Sequence, residues 1–429
     1  MKNNVKNLIE FIDHSPSCFH VIENARKQFL EHGFTELEEK EYWDLEEGKS
    51  YFVTRNGSSM IAFHLPKKDF QGFHIVASHS DSPTYRIKEQ PEMLVEKHYT
   101  KLNIERYGGM IPETWFDRPL SVAGRIIIEE NGQIKDQLVN IDRDLMIIPN
   151  LAIHMSRSSN ESKQLNPQKD LLPLCGGNLT KDGFEEMIAK ESGVEKEDIL
   201  SYDLFLYNRM RGTTLGINEE FVAAPKLDDL ECAYSSIEGM LNAKLSKDYV
   251  TVCAVFDNEE VGSGTKQGAG STFFPEVLKR ISYLCGKNEE EYYMAVADSF
   301  MLSADNAHAV HPNYQDKTDP TNRPYINEGI VLKYNASQKY TTDANSAALV
   351  KYLCKKEKIK CQVFFNRSDM LGGSTLGNIL TGQVSIKAAD IGLPQLSMHS
   401  TYETAGCKDL DDMITLMGSF YELGKEVQI

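Results

Sequence analysis

Short apolar runs recur along the chain, and each is followed closely by polar residues that can bind a ligand. Runs of this length are typical of buried β-strands. In open α/β sheets the functional site lies beyond the carboxyl ends of the strands. The pattern therefore predicts a sheet with one polar site along one edge. The runs lie at residues 73–77, 249–256, 292–297 and 392–397.

Helical periodicity separates these runs and predicts an α/β fold. In four segments the apolar residues recur every three or four positions, as they do on the buried face of a helix. Ser15 and Pro16 indicate the start of a further helix, which Gly33 ends. We therefore predict a mixed sheet sandwiched by helices. The four helical segments lie at residues 229–244, 275–285, 344–356 and 410–425.

The middle of the chain has a different pattern of hydrophobic and turn-forming residues. Short strand patterns alternate there with Gly and Asp turns, which is typical of a β-rich unit. We predict that residues 91–224 form a second domain, inserted between the two parts of the first domain at 1–90 and 225–429. The strand patterns in this segment lie at 120–129, 137–141 and 145–148.

Composition favours a globular enzyme and argues against two classes of partner. The 429 residues are 41% hydrophobic, and their net charge of −17 disfavours binding to nucleic acids or anionic membranes. No apolar stretch approaches the roughly 18 residues of a membrane span, and no apolar leader follows Met1. The eight cysteines are scattered without a CxxC pair, which favours buried thiols over disulfides or a thiolate metal site. We expect a cytoplasmic protein.

Two strand ends carry residues suited to a metallohydrolase. A neutral imidazole at His79 can bind a metal, and Asp81, two residues later, can orient the ring. Glu259 and Glu260 can divide two tasks, because one carboxylate binds a metal while its neighbour accepts a proton from water. Either motif by itself is also compatible with an ordinary solvated turn.

Three further residues strengthen the metal hypothesis. Asp228 and Asp305 add oxygen ligands, and His399 adds a second nitrogen ligand. A shared carboxylate can bridge two cations about 3.5–4 Å apart, as in cocatalytic sites. Nitrogen and oxygen donors without cysteine suit a catalytic zinc site better than a structural one.

The chain resembles the aspartyl aminopeptidase and aminopeptidase I family of dinuclear zinc exopeptidases. One matching block is Asp-Asn-Glu-Glu-Val-Gly-Ser at 257–263, and the longest begins Ser-Ala-Asp-Asn-Ala-His at 303. The blocks follow the family's order over most of the chain. They lie at 78–83, 150–154, 226–230, 257–263, 303–314 and 398–400.

The resemblance implies a role for each matching residue. One zinc is expected on His79, Asp228 and Asp305, and the other on Asp228, Glu260 and His399, with cobalt or manganese able to substitute. Glu259 is the expected general base, and Asp81 the residue that orients His79. The residues expected to contact the peptide substrate are His154, His308, Lys333 and Tyr340.

The resemblance also implies an assembly. The inserted domain is expected to be the dimerisation domain, and its His154 is expected to reach the active site of the partner subunit. In the family, dimers assemble into a homo-oligomeric dodecamer. Without the resemblance, His154 reads as a core or interface residue, and Lys333 and Tyr340 read as ordinary surface residues.

The function expected is a zinc-dependent aminopeptidase that releases N-terminal residues, Asp or Glu by preference, with Lys333 as the selecting cation. The chain departs from the family at Lys226 and Asp229, where Arg and Asn are common, at Leu371-Gly372-Gly373, where Pro-Cys-Gly is usual, and at Thr401-Tyr402, where Ile-Arg is usual. These departures concern the pocket walls and leave the ligand set intact. Three alternatives remain: a neutral aminopeptidase of broad specificity, an N-acyl amino acid amidohydrolase, and a non-catalytic assembly protein.

Overall fold

The computed structural model describes residues 2–156, 164–177 and 182–427. These residues form three sheets with helices packed against them, which confirms the predicted α/β class. Within these ranges, no helix combines the length and the apolar character needed to cross a bilayer.

Ten helices are described. They are α1 (Lys2–Asp13), α2 (Cys18–Glu31), α3 (Pro167–Asp170), α4 (Gly183–Ser192), α5 (Leu227–Asn242), α6 (Phe273–Leu284), α7 (Glu289–Ala297), α8 (Ala344–Glu357), α9 (Leu376–Gln383) and α10 (Cys407–Tyr421).

Twenty strands accompany the described helices. The first ten are β1 (Thr35–Leu37), β2 (Lys49–Arg55), β3 (Ser59–Leu65), β4 (Phe73–His79), β5 (Thr84–Val95), β6 (Tyr99–Tyr107), β7 (Leu120–Glu130), β8 (Gln133–Asn140), β9 (Leu174–Gly176) and β10 (Ile199–Asn208). The others are β11 (Thr213–Leu215), β12 (Phe221–Ala224), β13 (Val250–Phe256), β14 (Phe300–Ala304), β15 (Ala307–His308), β16 (Ile330–Tyr334), β17 (Cys361–Phe365), β18 (Lys387–Gly392), β19 (Pro394–Leu396) and β20 (Glu403–Gly406).

The largest sheet has nine strands in the order β1-β2-β3-β13-β4-β14-β18-β16-β17. Its four central strands, β13, β4, β14 and β18, run parallel, so their carboxyl ends meet at one edge. Every residue of β4, β13 and β14 is buried, as expected for strands covered on both faces. Two hydrophobic clusters lie on opposite faces of this sheet, one beneath α5 and α10 and the other beneath α6 and α9.

The six-stranded sheet, in the order β8-β7-β10-β5-β6-β9, takes all its strands from residues between Thr84 and Asn208. It has its own hydrophobic cluster, which includes Tyr85, Trp115 and Leu204. A third sheet, β11-β12-β20-β19-β15, contains the strands next to Asp228 and His399. The predicted division at residues 90/91 and 224/225, and the role of the inserted part in dimerisation, stay predictions.

Two of the predicted strands are wrong. Residues 292–297 lie in α7, because Asn288 and Glu291 form a capping box at its first turn and the helix buries Tyr292, Ala295 and Val296 on one side. The strand of that region is β14, which begins three residues after the helix ends. Residues 145–148 form isolated bridges rather than a regular strand. The eight cysteines are free thiols, four of them buried and four partly buried.

Candidate metal centre

The parallel strands bring the predicted ligands to one edge of the nine-stranded sheet. His79 is the last residue of β4, and Phe256, its partner in register, is the last residue of β13. Glu259 and Glu260 follow β13 in a short 3-10 turn, and Asp305 follows β14 directly. The site therefore lies where open α/β sheets place their ligands.

The two remaining candidates come from the third sheet and its surroundings. Asp228 lies in the first turn of α5, where its backbone is non-helical. His399 follows β19 in a left-handed conformation, with φ at 66°. Both residues thus sit at irregular points of the backbone.

Two overlapping clusters of ligand atoms meet at Asp228. Its Oδ1 lies 3.9 Å from His79 Nε2, and its Oδ2 lies 3.2 Å from His399 Nε2. His399 Nε2 also lies 3.5 Å from Glu260 Oε1. Two of the groups whose ligand atoms all lie within 4.8 Å of one another contain Asp228: His79, Asp228, Asp229 and Asp305, and Asp228, Glu260 and His399. A third such group consists of His79, Glu259 and Glu260.

Unpaired buried oxygens indicate that this cluster suits cations. Asp228 Oδ1, Asp229 Oδ1 and Glu260 Oε1 are buried and have no hydrogen-bond partner among the described residues. An unpaired buried carboxylate is costly, whereas a divalent cation would satisfy these oxygens. Burial and the neighbouring Asp228 hold the pKa of Glu260 well above its usual range, which reflects the crowding of negative charge. The donor set therefore fits divalent metals such as zinc.

Asp229 is a member of the cluster that sequence reasoning missed. Its side chain is fully buried, and its Oδ2 accepts a hydrogen bond from the backbone N–H of His79 at 3.2 Å. The same oxygen lies 4.0 Å from His79 Nε2. Its position directly after the predicted ligand Asp228 is the sequence feature that could have identified it as a candidate.

Asp81 contacts both His79 and the glutamate turn. Its backbone carbonyl lies 3.0 Å from His79 Nδ1, and its carboxylate Oδ1 lies 3.5 Å from the same nitrogen. The carboxylate also accepts hydrogen bonds from the backbone N–H groups of Glu259 and Glu260, at 3.1 and 3.2 Å. Tyr107 donates to its Oδ2 at 2.7 Å, which ties β6 of the six-stranded sheet to the site.

A cavity of about 310 Å³ opens onto the cluster. Glu259 lines it, and burial raises the pKa of its carboxyl to about 8, with a smaller opposing effect from His79. His308, Tyr340 and Phe364 form an aromatic wall, with ring centroids 6.1 and 6.4 Å from that of Phe364. The cavity is thus large enough for an amino-acid side chain beside the metal ligands.

Lys333 lines the same cavity but is already engaged. Its side chain is 3% exposed, and its Nζ donates to the carbonyl of Asn306 at 2.8 Å and to Asp305 Oδ1 at 3.4 Å. Burial by itself lowers the pKa of Lys333, but Asp305 and Tyr340 outweigh that effect, so the amine stays charged.

His154 lies apart from the residues that line this cavity. It occupies the exposed 3-10 turn Ile153–Met155, in the segment that follows β8. The structure therefore brings together ten of the eleven predicted site residues and leaves His154 on the surface.

Comparisons with known proteins agree on one family. Residues 11–421 match the family model described as aminopeptidase I zinc metalloprotease (M18). A probable M18 family aminopeptidase 2 of Clostridium acetobutylicum is 45% identical over 439 aligned residues, which cover 99% of this chain and 100% of that protein.

Solved structures give the same result. A chain in the cryo-EM structure of the Ape4 and Nbr1 complex is 36% identical with a TM-score of 0.95, over 98% of this chain and 85% of that chain. The mApe1 of S. cerevisiae, solved as a dodecamer, is 26% identical with a TM-score of 0.85, over 98% of this chain and 97% of its own.

Proposed function

The chain belongs to the aminopeptidase I (M18) family of zinc metalloproteases and is a metallo-aminopeptidase; from that premise we propose that it releases N-terminal residues, acidic ones by preference, at the cluster around Asp228. The observation that carries the proposal is that two ligand groups share Asp228 beside the cavity that Glu259 lines.

The proposed centre holds two zinc ions per subunit, with cobalt or manganese able to substitute. His79, Asp228 and Asp305 would hold one ion, and Asp228, Glu260 and His399 the other. When bound, such ions lower the pKa of water and polarise a carbonyl group.

Glu259 is the proposed general base. Cations bound beside Glu259 would lower the raised pKa of its carboxyl, and the carboxylate would then accept a proton from the attacking water and deliver it to the amine that leaves. Two features support this role: Glu259 lines the cavity, and Asp81 fixes its backbone N–H. A positioned carboxylate that both accepts and returns a proton speeds such reactions by about 10²–10⁴-fold.

Lys333 is the proposed source of the acidic preference. A substrate carboxylate loses its hydration on entering a closed pocket, so the pocket must supply a fixed cation. Lys333 is the one lysine or arginine of the described cavity lining. Its ammonium has three N–H donors, and the described contacts with Asn306 and Asp305 leave one for a substrate. His308 and Tyr340 would pack against the same side chain.

The solved mApe1 relative supports a proposal about assembly. We expect this chain to form dimers that assemble into a dodecamer, as that relative is a dodecamer. The exposed turn that carries His154 is free to reach a partner subunit, where the histidine would complete the substrate site. We also expect the protein to be cytoplasmic and to act on peptides.

A substrate panel tests the proposed function. The metal-loaded protein is assayed on aspartyl-, glutamyl- and leucyl-arylamides and on N-acetyl-aspartyl-arylamide. We expect the first two to be cleaved fastest. A tenfold preference for the leucyl substrate would replace the acidic assignment with a broad neutral specificity. Cleavage of the N-acetylated substrate alone would instead indicate an amidohydrolase.

A further inference from the structure

Glu403 is a buried carboxylate whose two oxygens bind the backbones of two different metal-ligand residues. Its Oε2 accepts the N–H of Asp228 at 2.9 Å, and its Oε1 accepts the N–H of His399 at 2.6 Å. The residue is 1% exposed. Glu403 therefore joins two loops that lie 171 residues apart in the chain through hydrogen bonds that water does not weaken.

The strand pairing explains why Glu403 reaches both loops. Glu403 begins β20 and lies opposite Ala224, the last residue of β12. The chain passes from Ala224 to Asp228 in four residues, and it passes from His399 to Glu403 in four residues. Both ligand loops therefore start from the same pair of strands, with the Glu403 side chain between them.

The backbone at both ligands needs such support. His399 has a φ of 66°, a left-handed conformation that residues other than glycine adopt rarely. Asp228 departs from helical geometry inside α5, with φ at −83° and ψ at 109°. An irregular backbone has no helix or strand partners for its N–H groups, and the Glu403 carboxylate supplies an acceptor to each.

We propose that Glu403 is a positioning residue that fixes the spacing of Asp228 and His399 before any metal binds. The inference rests on the ligand set of the proposed function, in which these two residues hold the same ion. Glu403 is neither a lining residue of the cavity nor a member of the described ligand clusters, so its effect reaches the metal through the two backbones.

Asp409 offers a matched control. It is also a fully buried carboxylate that accepts two backbone N–H groups, from Asn327 at 2.6 Å and Gly329 at 2.8 Å. Neither of these partners belongs to the ligand clusters. The substitutions Glu403→Gln and Asp409→Asn therefore remove the same kind of interaction, but only the first touches the metal-ligand loops.

The experiment measures metal binding rather than turnover. Purified full-length variants are stripped with a chelator and titrated with Zn²⁺ against a chromophoric competitor, and their Co²⁺ forms are compared by visible absorption. We expect Glu403→Gln to weaken the affinity for one ion by about 10–100-fold and to change the Co²⁺ spectrum. Asp409→Asn should leave both unchanged. Wild-type affinity and spectrum in Glu403→Gln, or an equal loss in Asp409→Asn, would overturn the proposal.

A measurement on the wild-type protein covers the case in which Glu403→Gln does not fold. Hydrogen exchange is followed by mass spectrometry in peptides that contain Asp228 and His399, before and after chelation. We expect these amides to stay protected without metal, and we expect the same of the Asn327 amide, which Asp409 accepts. Exchange at the rate of exposed loops after chelation would refute the inference.

Two further variants separate this inference from the proposed function. If Asp228→Ala and His399→Ala retain all their metal, the ligand set itself is wrong. If they lose metal while Glu403→Gln binds it normally, the ligand set stands and only the role of Glu403 fails.

Discussion

Lys333 and Asp305 form a buried ion pair, with 3.4 Å between Nζ and Oδ1, where the cavity meets the cluster of ligand-type side chains. One carboxylate thus faces both the proposed metal and the proposed specificity cation. A metal on Asp305 would draw the negative charge of this carboxylate away from Lys333. The selection of an acidic substrate and the binding of the metal are therefore expected to be coupled at Asp305.

The first prediction concerns this pair. Lys333→Met should lower kcat/KM for the aspartyl-arylamide by a factor of about 30 or more, because losing the partner of a buried charge costs about 2 kcal/mol or more. The value for the leucyl-arylamide should change little. Metal content should not fall, since the substitution removes a cation that competes for Asp305.

Lys339→Met is the control for that prediction. Lys339 Nζ donates to the carbonyl of Gly372 at 2.9 Å and is not among the lining residues. It should keep the ratio of aspartyl to leucyl turnover. An unchanged ratio in Lys333→Met would remove Lys333 from substrate selection.

The second prediction concerns the proton acceptor. Glu259→Gln should keep both metals, because the proposed ligand set excludes Glu259, and should lower kcat by about 10²–10⁴-fold. Elemental analysis and steady-state kinetics on the same preparation check both parts. Near-wild-type turnover in a metal-replete variant would show that another group accepts the proton.

The third prediction concerns the shared ligand. Asp228 lies between the two histidines, so Asp228→Ala should lose both metals, whereas His399→Ala should mainly empty one site. The measurement is the metal-to-protein ratio after dialysis against metal-free buffer. Two ions per chain in Asp228→Ala would contradict the bridging assignment.

The fourth prediction concerns His154. If its exposed turn completes the site of a partner, two inactive variants should restore activity when mixed. His154→Ala supplies an intact metal cluster, and Glu259→Gln supplies an intact histidine. Co-expression with two different affinity tags isolates the mixed assemblies.

The control for that experiment is an assembly isolated with the same two tags in which every subunit carries Glu259→Gln. Activity in the mixed assemblies should exceed that of either parent variant. No recovery after proven mixing would mean that His154 acts within its own chain or has a structural role.

Local sequence patterns were sufficient for the fold class and for the residues at the strand ends. A fully buried strand needs an uninterrupted apolar run, so 73–77 and 249–256 marked β4 and β13 directly. The same rule wrongly predicted a strand at 292–297, because a short apolar run is also compatible with the buried face of a helix. The capping residues Asn288 and Glu291 decided that case in favour of a helix.

Those local patterns did not predict contacts between distant parts of the chain. Glu403 accepts a hydrogen bond from Asp228, which lies 175 residues earlier in the chain. Lys333 pairs with Asp305, which lies 28 residues earlier. The sequence by itself determined which residue types stand at the carboxyl ends of the strands, because strand ends follow from local hydrophobicity. Only the tertiary structure decided which buried charges and backbone groups pair with one another, because that choice depends on how strands and helices from separate segments pack together.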